Sequence, residues 1–264
     1  MKILFIADIV GRPGRWATSQ LLPDLKRSLG IDFVIANVEN AAGGFGLTKE
    51  IAHKIFTYGV DCQTSGNHIW DRKDIYPYLD EEVRLLRPAN YPPGVPGKGS
   101  GLFETKKSEK VGVINIQGRV FIKETDCPFR RSLEEIEKLK ADTRIIVVDM
   151  HAEATSEKIA LGWYLDGKVS AIVGTHTHVQ TADETILPHG TAYITDAGMT
   201  GPHDSIIGIR KEDALARFLT QVPHRFRLGI EDVKFSAVLI EVDSESGKAK
   251  SIERMTIDVP KEEE

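Results

Sequence analysis

Side chains that commonly bind metals follow apolar runs at five separate points of this chain. Asp8 follows the run KILFIA, and the pair Glu39 and Asn40 follows the run FVIANV. At the other three points the residues are Asn67 and His68 after CQTSG, His151 after IIVVDM, and His176 and His178 after SAIVGT. Oxygen and imidazole ligands without cysteine suit iron, manganese or zinc better than a thiophilic metal. The pattern predicts a metal-dependent hydrolase.

These side chains can act together only if the apolar runs are neighbouring strands. The first third of the chain alternates strand and helix, because a helix that begins at the turn with Pro13 and ends near Leu29 precedes the strand Phe33–Val38. A second helix is expected from its cap Thr48 to Tyr58. Such alternation predicts a parallel sheet covered by helices, and ligands of these folds bind outside the carboxyl ends of the strands.

The rest of the chain predicts further strands and two hairpins. Strands at Arg144–Val148 and Ala171–Val173 continue the sheet, with a helix expected between them at Ser156–Tyr164. The other predicted elements are the hairpin Gly101–Thr105 with Val111–Ile116, an irregular segment Val120–Arg131, a helix Leu133–Leu139, and the hairpin Lys234–Val242 with Ser251–Val259. We predict an α/β fold of two stacked β-sheets with outer helices. Residues 1–264 are expected to form a single domain, with fraying at the last glutamates.

Composition excludes some classes of function. The formal net charge is −5, which argues against a protein that binds long nucleic acid through a basic surface. No apolar stretch approaches the roughly 20 residues that a membrane span needs, so we expect no association with a membrane. Cys62 and Cys127 have no metal-binding spacing and fit a reducing compartment. The sequence therefore predicts a cytoplasmic protein.

Taken singly, each candidate ligand also has an ordinary structural interpretation. His176 and His178 could be polar loop residues, Glu39 with Asn40 could form a turn, and His151 could be a buried core histidine. Their combination at successive strand ends favours metal ligands. In an extended backbone the side chains of residues two apart point to the same side, so the two loop histidines are expected to reach one locus.

The order of these blocks resembles that of the calcineurin-like metallophosphoesterases. Gly66-Asn67-His68, the later His151 and the block Gly174–His178 resemble the GNH, H and GHxH blocks of that family. Two other blocks depart from the common pattern. Asp8-Ile9-Val10 lacks the histidine of the usual Asp-x-His, and Val38-Glu39-Asn40 replaces the usual Gly-Asp.

The departures are typical of one branch of the family. Asp-Ile-Val-Gly from Asp8, Val-Glu-Asn from Val38 and the block Thr195–Gly201 resemble the YmdB-like branch, bacterial phosphodiesterases that act on 2′,3′-cyclic nucleotides. In that branch Glu replaces Asp as the bridging ligand, and the following Asn stands in for the missing histidine. The resemblance covers nearly the whole chain. It implies a four-layer α/β/β/α sandwich of two mixed sheets flanked by helices.

The resemblance also implies a dinuclear metal centre. Its ligands would be Asp8, Glu39, Asn40 and His178 for one ion, and Glu39, Asn67, His151 and His176 for the other. The family favours two iron ions, with manganese or zinc as alternatives. His68 would be the general acid that protonates the leaving alkoxide, while a hydroxide that bridges the metals attacks phosphorus.

These implications define a main hypothesis and its alternatives. The main hypothesis is a phosphodiesterase that hydrolyses small cyclic nucleotides, specifically 2′,3′-cyclic nucleotides to nucleoside 3′-phosphates. A broad phosphomonoesterase is one alternative, and a regulatory nucleotide-binding protein with incidental turnover is another. Phe129-Arg130-Arg131 is a candidate for contacting the base and the phosphate. Assembly into a homo-oligomer stays open.

Overall fold

The structure, a computed structural model, describes residues 1–260, so the expected fraying of the last glutamates lies outside the described residues. The described strands are β1 Lys2–Ile6, β2 Asp8–Ile9, β3 Phe33–Asn37, β4 Cys62–Thr64, β5 Ser100–Glu104, β6 Lys110–Gln117, β7 Ile146–His151, β8 Ala171–Thr175, β9 Thr185–Ile186, β10 Ala192–Ile194, β11 Met199–Pro202, β12 Val233–Val242 and β13 Ala249–Asp258. The described helices are α1 Gly11–Ser28, α2 Lys49–Thr57, α3 Ile75–Glu81, α4 Pro128–Leu139, α5 Thr155–Leu165 and α6 Lys211–Thr220.

The strands of residues 1–260 form two sheets. One has seven strands in the order β2-β11-β12-β1-β3-β4, with β13 paired to β12. The other has six strands in the order β5-β6-β7-β8-β10-β9. In the first sheet β1, β3 and β4 run parallel and β12 is antiparallel to β1. In the second, β6, β7, β8 and β10 run parallel and the outer strands are antiparallel. Both sheets are mixed, as predicted.

The burial pattern of β1 shows how the layers stack. Ile3 and Phe5 pack with residues of β7 in the core between the two sheets, whereas Leu4 and Ile6 pack with residues of α1 on the other side. Successive side chains of a strand face opposite sides of the sheet. All four side chains are fully buried because both faces of β1 are covered. A third core lies between the six-stranded sheet and helices α4 and α5. The four-layer α/β/β/α sandwich is confirmed.

The ends of several helices follow the signals in the sequence. Thr48 caps α2 and accepts a hydrogen bond from Ile51 N at 3.3 Å, and α1 ends within one residue of the expected Leu29. The prediction of irregular structure for Val120–Arg131 is wrong from Pro128 onward, because this proline fits the first turn of α4. Within residues 1–260, no helix combines the length and the apolar character needed to span a bilayer.

Buried polar side chains join the two sheets at the carboxyl ends of their strands. Asn37 Nδ2 donates a hydrogen bond to Asp149 Oδ2 at 3.0 Å, which links the end of β3 to β7. The backbone N of Ser65, just after β4, donates to Asn115 Oδ1 of β6 at 3.1 Å. These residues are fully buried, so the hydrogen bonds fix how the two edges face each other. The strand ends that carry the predicted ligands therefore meet at one edge.

A buried ion pair ties helix α5 to the same edge. Lys158 Nζ lies 2.7 Å from Asp196 Oδ2, and both side chains are 0% exposed. Asp196, which lies just after β10, also accepts hydrogen bonds from the backbone N of Thr177 at 3.1 Å and from its hydroxyl at 2.6 Å. A buried carboxylate is stable only when a cation and hydrogen-bond donors surround it. The pair therefore anchors the loop that follows β8.

Replacing Lys158 by Met should destabilise the protein, because Asp196 would keep a buried negative charge without its cation. Breaking a buried ion pair from one side costs about 3–5 kcal/mol. We expect K158M to lower the free energy of unfolding by that amount, measured by urea denaturation followed by circular dichroism. Lys168→Met is the matched control, since Lys168 is exposed. Equal stabilities of the two variants would show that the pair contributes nothing.

Candidate metal centre

The predicted ligands lie together where the carboxyl edges of the two sheets meet. The four residues that offer oxygen come from the seven-stranded sheet, and they are Asp8 in β2, Glu39 and Asn40 after β3, and Asn67 after β4. The three histidines come from the six-stranded sheet, and they are His151 at the end of β7, and His176 and His178 after β8. Each half of the cluster is thus supplied by a different sheet.

Three residues form the tightest group. Ligand atoms of Glu39, His151 and His176 all lie within 4.8 Å of one another. His151 Nε2 is 3.0 Å from Glu39 Oε1 and 3.1 Å from Asn67 Oδ1, so the amide belongs to the same group. Carboxylate oxygen, amide oxygen and imidazole nitrogen converging on one locus form a candidate metal-binding group.

Hydrogen bonds orient the His151 ring toward this group. The Thr175 hydroxyl donates to Asp149 Oδ1 at 2.7 Å, and the oxygen of the same hydroxyl lies 3.0 Å from His151 Nδ1. A hydroxyl has one proton, so the Thr175 oxygen accepts the hydrogen bond from His151 Nδ1–H. This leaves Nε2 as the ring nitrogen that faces Glu39 and Asn67. A hydrogen bond to the second ring nitrogen is what orients metal-binding histidines in proteins.

A second group adjoins the first. Asp8 Oδ1 lies 3.9 Å from His178 Nε2, and Asp8 Oδ2 accepts a hydrogen bond from the backbone N of His176 at 3.3 Å. Asn40 Nδ2 donates to Gly44 O at 2.9 Å, which leaves the amide oxygen of Asn40 as the atom available to a ligand. The contact between Asp8 and the backbone of His176 joins the two groups.

Buried oxygens of this cluster lack hydrogen-bond donors. Asp8 Oδ1 and Asn40 Oδ1 have no hydrogen-bond partner among the described residues, although Asp8 is 0% and Asn40 only 3% exposed. A buried acceptor without a donor costs about 1–3 kcal/mol, so native structures rarely contain such atoms without a reason. Two of them beside a carboxylate and three imidazoles fit a site for metal cations. The residues present are therefore suited to the metal ions that the sequence predicts.

The pKa values of Glu39 and His151 reflect their pairing inside a buried cluster. Burial disfavours the charged form of His151, but Glu39, together with Asp8 and Asp149, outweighs this effect and raises the pKa of the imidazole to about 9. Burial likewise disfavours the Glu39 carboxylate, yet His151 and His68 lower its pKa to about 2. His176 lies near other cationic groups, and burial together with His151 lowers its pKa to about 3. His176 is therefore neutral, the form that a metal ligand requires, whereas His151 carries a proton that a bound metal would displace.

The loop that carries His176 and His178 is not extended. The φ angles of these two residues are 98° and 63°, so the expectation of an extended backbone is wrong, although both side chains face the same cavity. Positive φ angles are strained for residues other than glycine and persist only where surrounding contacts fix them. The hydrogen bonds of Thr177 to Asp196 provide such contacts, and His178 Nδ1 lies 2.9 Å from Ile207 O.

Gly66 allows the backbone after β4 to approach the cluster closely. A Cβ at this position would overlap the His151 ring and would lie 2.5 Å from Glu39 Oε2. Even the smallest side chain would therefore displace two of the three residues of the tightest group. Glycine is required at this position because there is no room for a side chain.

His68 lies beside the cluster but outside its tightest group. Its backbone N donates to Glu39 Oε2 at 2.9 Å, and its side-chain Nδ1 lies 2.8 Å from Asp71 Oδ2. The Asp71 contact occupies Nδ1 and leaves Nε2 for another partner. The sequence analysis did not identify Asp71. The signal for it is the spacing, because Asp71 lies three residues after His68 and the two side chains share the 3₁₀ helix Asn67–Asp71.

A cavity of about 370 Å³ opens onto the cluster. Its lining comprises Val10, Glu39, Asn40, Gly44, Phe45, His68, Glu153, His176, Thr177, His178, Ile207, Ile209 and Phe226. The sequence did not indicate Glu153, whose Oε2 lies 3.0 Å from His176 Nε2. A cavity of this volume suits a small molecule.

The segment Phe129–Arg131 lies elsewhere. It belongs to α4, where the Phe129 ring lies 5.4 Å from the Tyr164 ring and Arg131 forms ion pairs with Glu134 and Glu135. None of its three residues lines the cavity. The idea that this segment contacts a substrate is not supported by its position.

Comparisons with known proteins show to which family this chain is similar. A family model described as "YmdB-like protein" matches residues 4–255. The chain is 50% identical over 257 residues to the 2′,3′-cyclic-nucleotide 2′-phosphodiesterase of Bacillus subtilis (strain 168), covering 97% of each chain.

Two solved structures have nearly the same fold. A hypothetical protein from Thermus thermophilus has a TM-score of 0.92 and 43% identity, covering 98% of this chain and 100% of that one. A structure described as a novel phosphatase, from Mycoplasma pneumoniae, has a TM-score of 0.91 and 35% identity, covering 98% of this chain and 93% of that one. The family match extends over nearly the whole chain and includes every block that carries the cluster. The chain belongs to the YmdB-like family.

Proposed function

We propose that this protein is a metal-dependent phosphodiesterase that opens the ring of 2′,3′-cyclic nucleotides and releases nucleoside 3′-phosphates. The observation that carries the proposal is the pair of buried, donor-free oxygens of Asp8 and Asn40 beside Glu39, with His68 on the same cavity. The relative from Bacillus subtilis, which is named a 2′,3′-cyclic-nucleotide 2′-phosphodiesterase, supports the substrate class.

The proposed centre holds two cations. One would be bound by Asp8, Glu39, Asn40 and His178, and the other by Glu39, Asn67, His151 and His176. The support is the position of Glu39, which faces His151 and lines the cavity together with Asn40 and His178. A ligand set of oxygen and imidazole suits iron, with manganese or zinc as alternatives.

Bound divalent cations would polarise the phosphoryl group and activate a water molecule for attack. The residues of the chain provide the proton. His68 would donate a proton from Nε2 to the departing 2′ oxygen, because Asp71 holds Nδ1 on the opposite side of the ring. General acid catalysis of this kind contributes typically about 10²–10⁴-fold in rate. The 3′ oxygen would keep the phosphate.

The structure favours catalysis over a purely regulatory role. A protein that only binds a nucleotide has no need of a histidine that a carboxylate holds beside the metal ligands, as Asp71 holds His68. The cluster does not by itself distinguish a diester from a monoester, and one relative is described as a phosphatase. A panel of phosphate monoesters beside the cyclic diester separates these two activities.

Glu39→Gln should lose bound metal together with activity. The change removes one of the two carboxylates in the proposed ligand set. Elemental analysis of protein purified without chelator should give about two Fe, Mn or Zn ions per wild-type chain and clearly fewer for the variant. Glu50→Gln, which removes the same charge from an exposed position on α2, is the matched control and should retain its metal. Wild-type protein that holds no metal, even after Fe, Mn or Zn is added, would contradict the proposal.

His68→Ala should keep both metals but lose about 10²–10⁴-fold in kcat on 2′,3′-cyclic AMP. The loss on bis(p-nitrophenyl) phosphate should be much smaller, because p-nitrophenolate is stable without a proton. Steady-state kinetics on both substrates, with metal content measured in parallel, test this expectation. Equal losses on the two substrates would mean that His68 orients the attacking water instead of donating a proton.

Metal-replete protein should convert 2′,3′-cyclic AMP to adenosine 3′-phosphate as the dominant product. This outcome follows if His68 faces the 2′ oxygen when the phosphate lies at the metal centre. Chromatography that resolves the two adenosine monophosphate isomers provides the measurement. A dominant 2′-phosphate would reverse the assigned orientation, and tight binding without hydrolysis would favour the regulatory alternative.

A further inference from the structure

The cavity has a polar floor and an apolar side. The floor is formed by four of the proposed ligands, Glu39, Asn40, His176 and His178, together with His68, Glu153 and Thr177. Five apolar side chains also line the cavity, and we call three of them, Phe45, Ile207 and Phe226, the apolar wall. They come from two segments far apart in the sequence, the loop after β3 and the segment around α6. The proposed chemistry uses none of them, so their place on the cavity calls for a separate explanation.

Phe45 is held directly beside the proposed acid. Its ring centroid lies 5.1 Å from that of His68, in an edge-to-face arrangement. Arg72 donates hydrogen bonds to Ala42 O at 3.2 Å and to Phe45 O at 3.5 Å, which fixes the loop. A phosphate within reach of His68 would therefore share the cavity with the aromatic ring of Phe45.

The other part of the wall is also fixed. The Arg217 guanidinium lies 5.3 Å from the centre of the Phe226 ring. The neighbouring Arg227 pairs with the buried Asp213 through Nε at 2.9 Å and Nη2 at 2.6 Å. Leu228 packs against Gly44, where a Cβ would lie 2.6 Å from Leu228 Cδ2. These contacts connect the Phe226 segment to the loop that carries Phe45.

Ile207 links the wall to the metal ligands. Its carbonyl oxygen lies 2.9 Å from His178 Nδ1, so the wall and the proposed ligand His178 have a fixed relative position. The Ile207 side chain is 52% exposed although it is large and apolar. An exposed apolar surface next to a polar binding floor is typical of ligand sites, where apolar surfaces supply contact area and a few polar groups fix orientation.

We propose that the apolar wall is the nucleobase subsite of this enzyme, with Phe226 as its main specificity-determining residue. The inference rests on the proposed function, which places the phosphate on the metal side of the same cavity. Bases stack on aromatic rings whatever their sequence, because every base has a π face. Because stacking on a ring does not read base edges, we expect the wall to accept all four bases and to favour the larger purines.

The test compares two substrates that share the strained cyclic phosphate and differ in the base. These are 2′,3′-cyclic AMP and glycerol 1,2-cyclic phosphate, both with metal-replete enzyme. For Phe226→Ala we expect the ratio of kcat/KM for the nucleotide to that for the base-free ester to fall about tenfold, as for loss of one base–aromatic stack. The loss should appear in KM. Phe226→Trp, which restores an aromatic face, should recover the ratio.

Phe218→Ala is the matched control. Phe218 lies in α6 and is 69% exposed, outside the cavity lining, so its removal should leave the ratio unchanged. An unchanged ratio in Phe226→Ala, or equal losses on both substrates, would overturn the subsite.

A binding measurement separates this inference from the proposed function. Equilibrium dialysis should show that Phe226→Ala weakens binding of adenosine 3′-phosphate about tenfold and leaves binding of inorganic phosphate unchanged. Wild-type protein that binds adenosine 3′-phosphate in this Phe226-dependent way but hydrolyses neither cyclic ester would keep the subsite and refute the hydrolytic function. Hydrolysis of both cyclic esters by a protein whose nucleotide binding does not depend on Phe226 would refute the subsite and keep the hydrolytic function.

Discussion

The buried carboxylate of Glu39 is the contact on which the rest of the site depends. It follows a strand of the seven-stranded sheet, is 1% exposed, and faces His151 of the six-stranded sheet at 3.0 Å. Its second oxygen accepts a hydrogen bond from the backbone N of His68 at 2.9 Å, which positions the proposed acid. One side chain therefore connects both sheets and the segment after β4. A buried carboxylate must be compensated by cations and donors, and this requirement explains why histidines converge on it.

The sequence predicted this cluster because strand ends are easy to recognise. Apolar runs followed at once by Asp8, Glu39 or His151 indicate where a parallel strand stops, and parallel strands of one sheet stop at the same edge. The two hairpins and the capped helix α2 were equally accessible, since turn residues and Thr48 mark their ends. These predictions needed only local patterns and the rule that links strand direction to ligand position.

Features that depend on tertiary contacts were not predictable in this way. The left-handed conformations of His176 and His178 depend on Asp196, which lies in a different strand connection, and the extended backbone expected from their spacing was wrong. The pairing of Lys158 with Asp196 joins residues 38 positions apart, and no local pattern marks it. The aromatic side of the cavity likewise includes Phe226, which reaches the site only because its segment packs against the loop after β3.

The position of β1 also bears on how the protein is made. β1 lies between β3 and β12, and residues 2–6 pair in register with residues 237–241. On the ribosome β1 is complete long before β12 exists, so one of its edges stays unpaired for most of translation. Pairings between such distant segments form slowly because a long loop must close first. The oxygen-bearing side chains of the cluster, all supplied by this sheet, therefore gain their finished scaffold only when β12 has been synthesised.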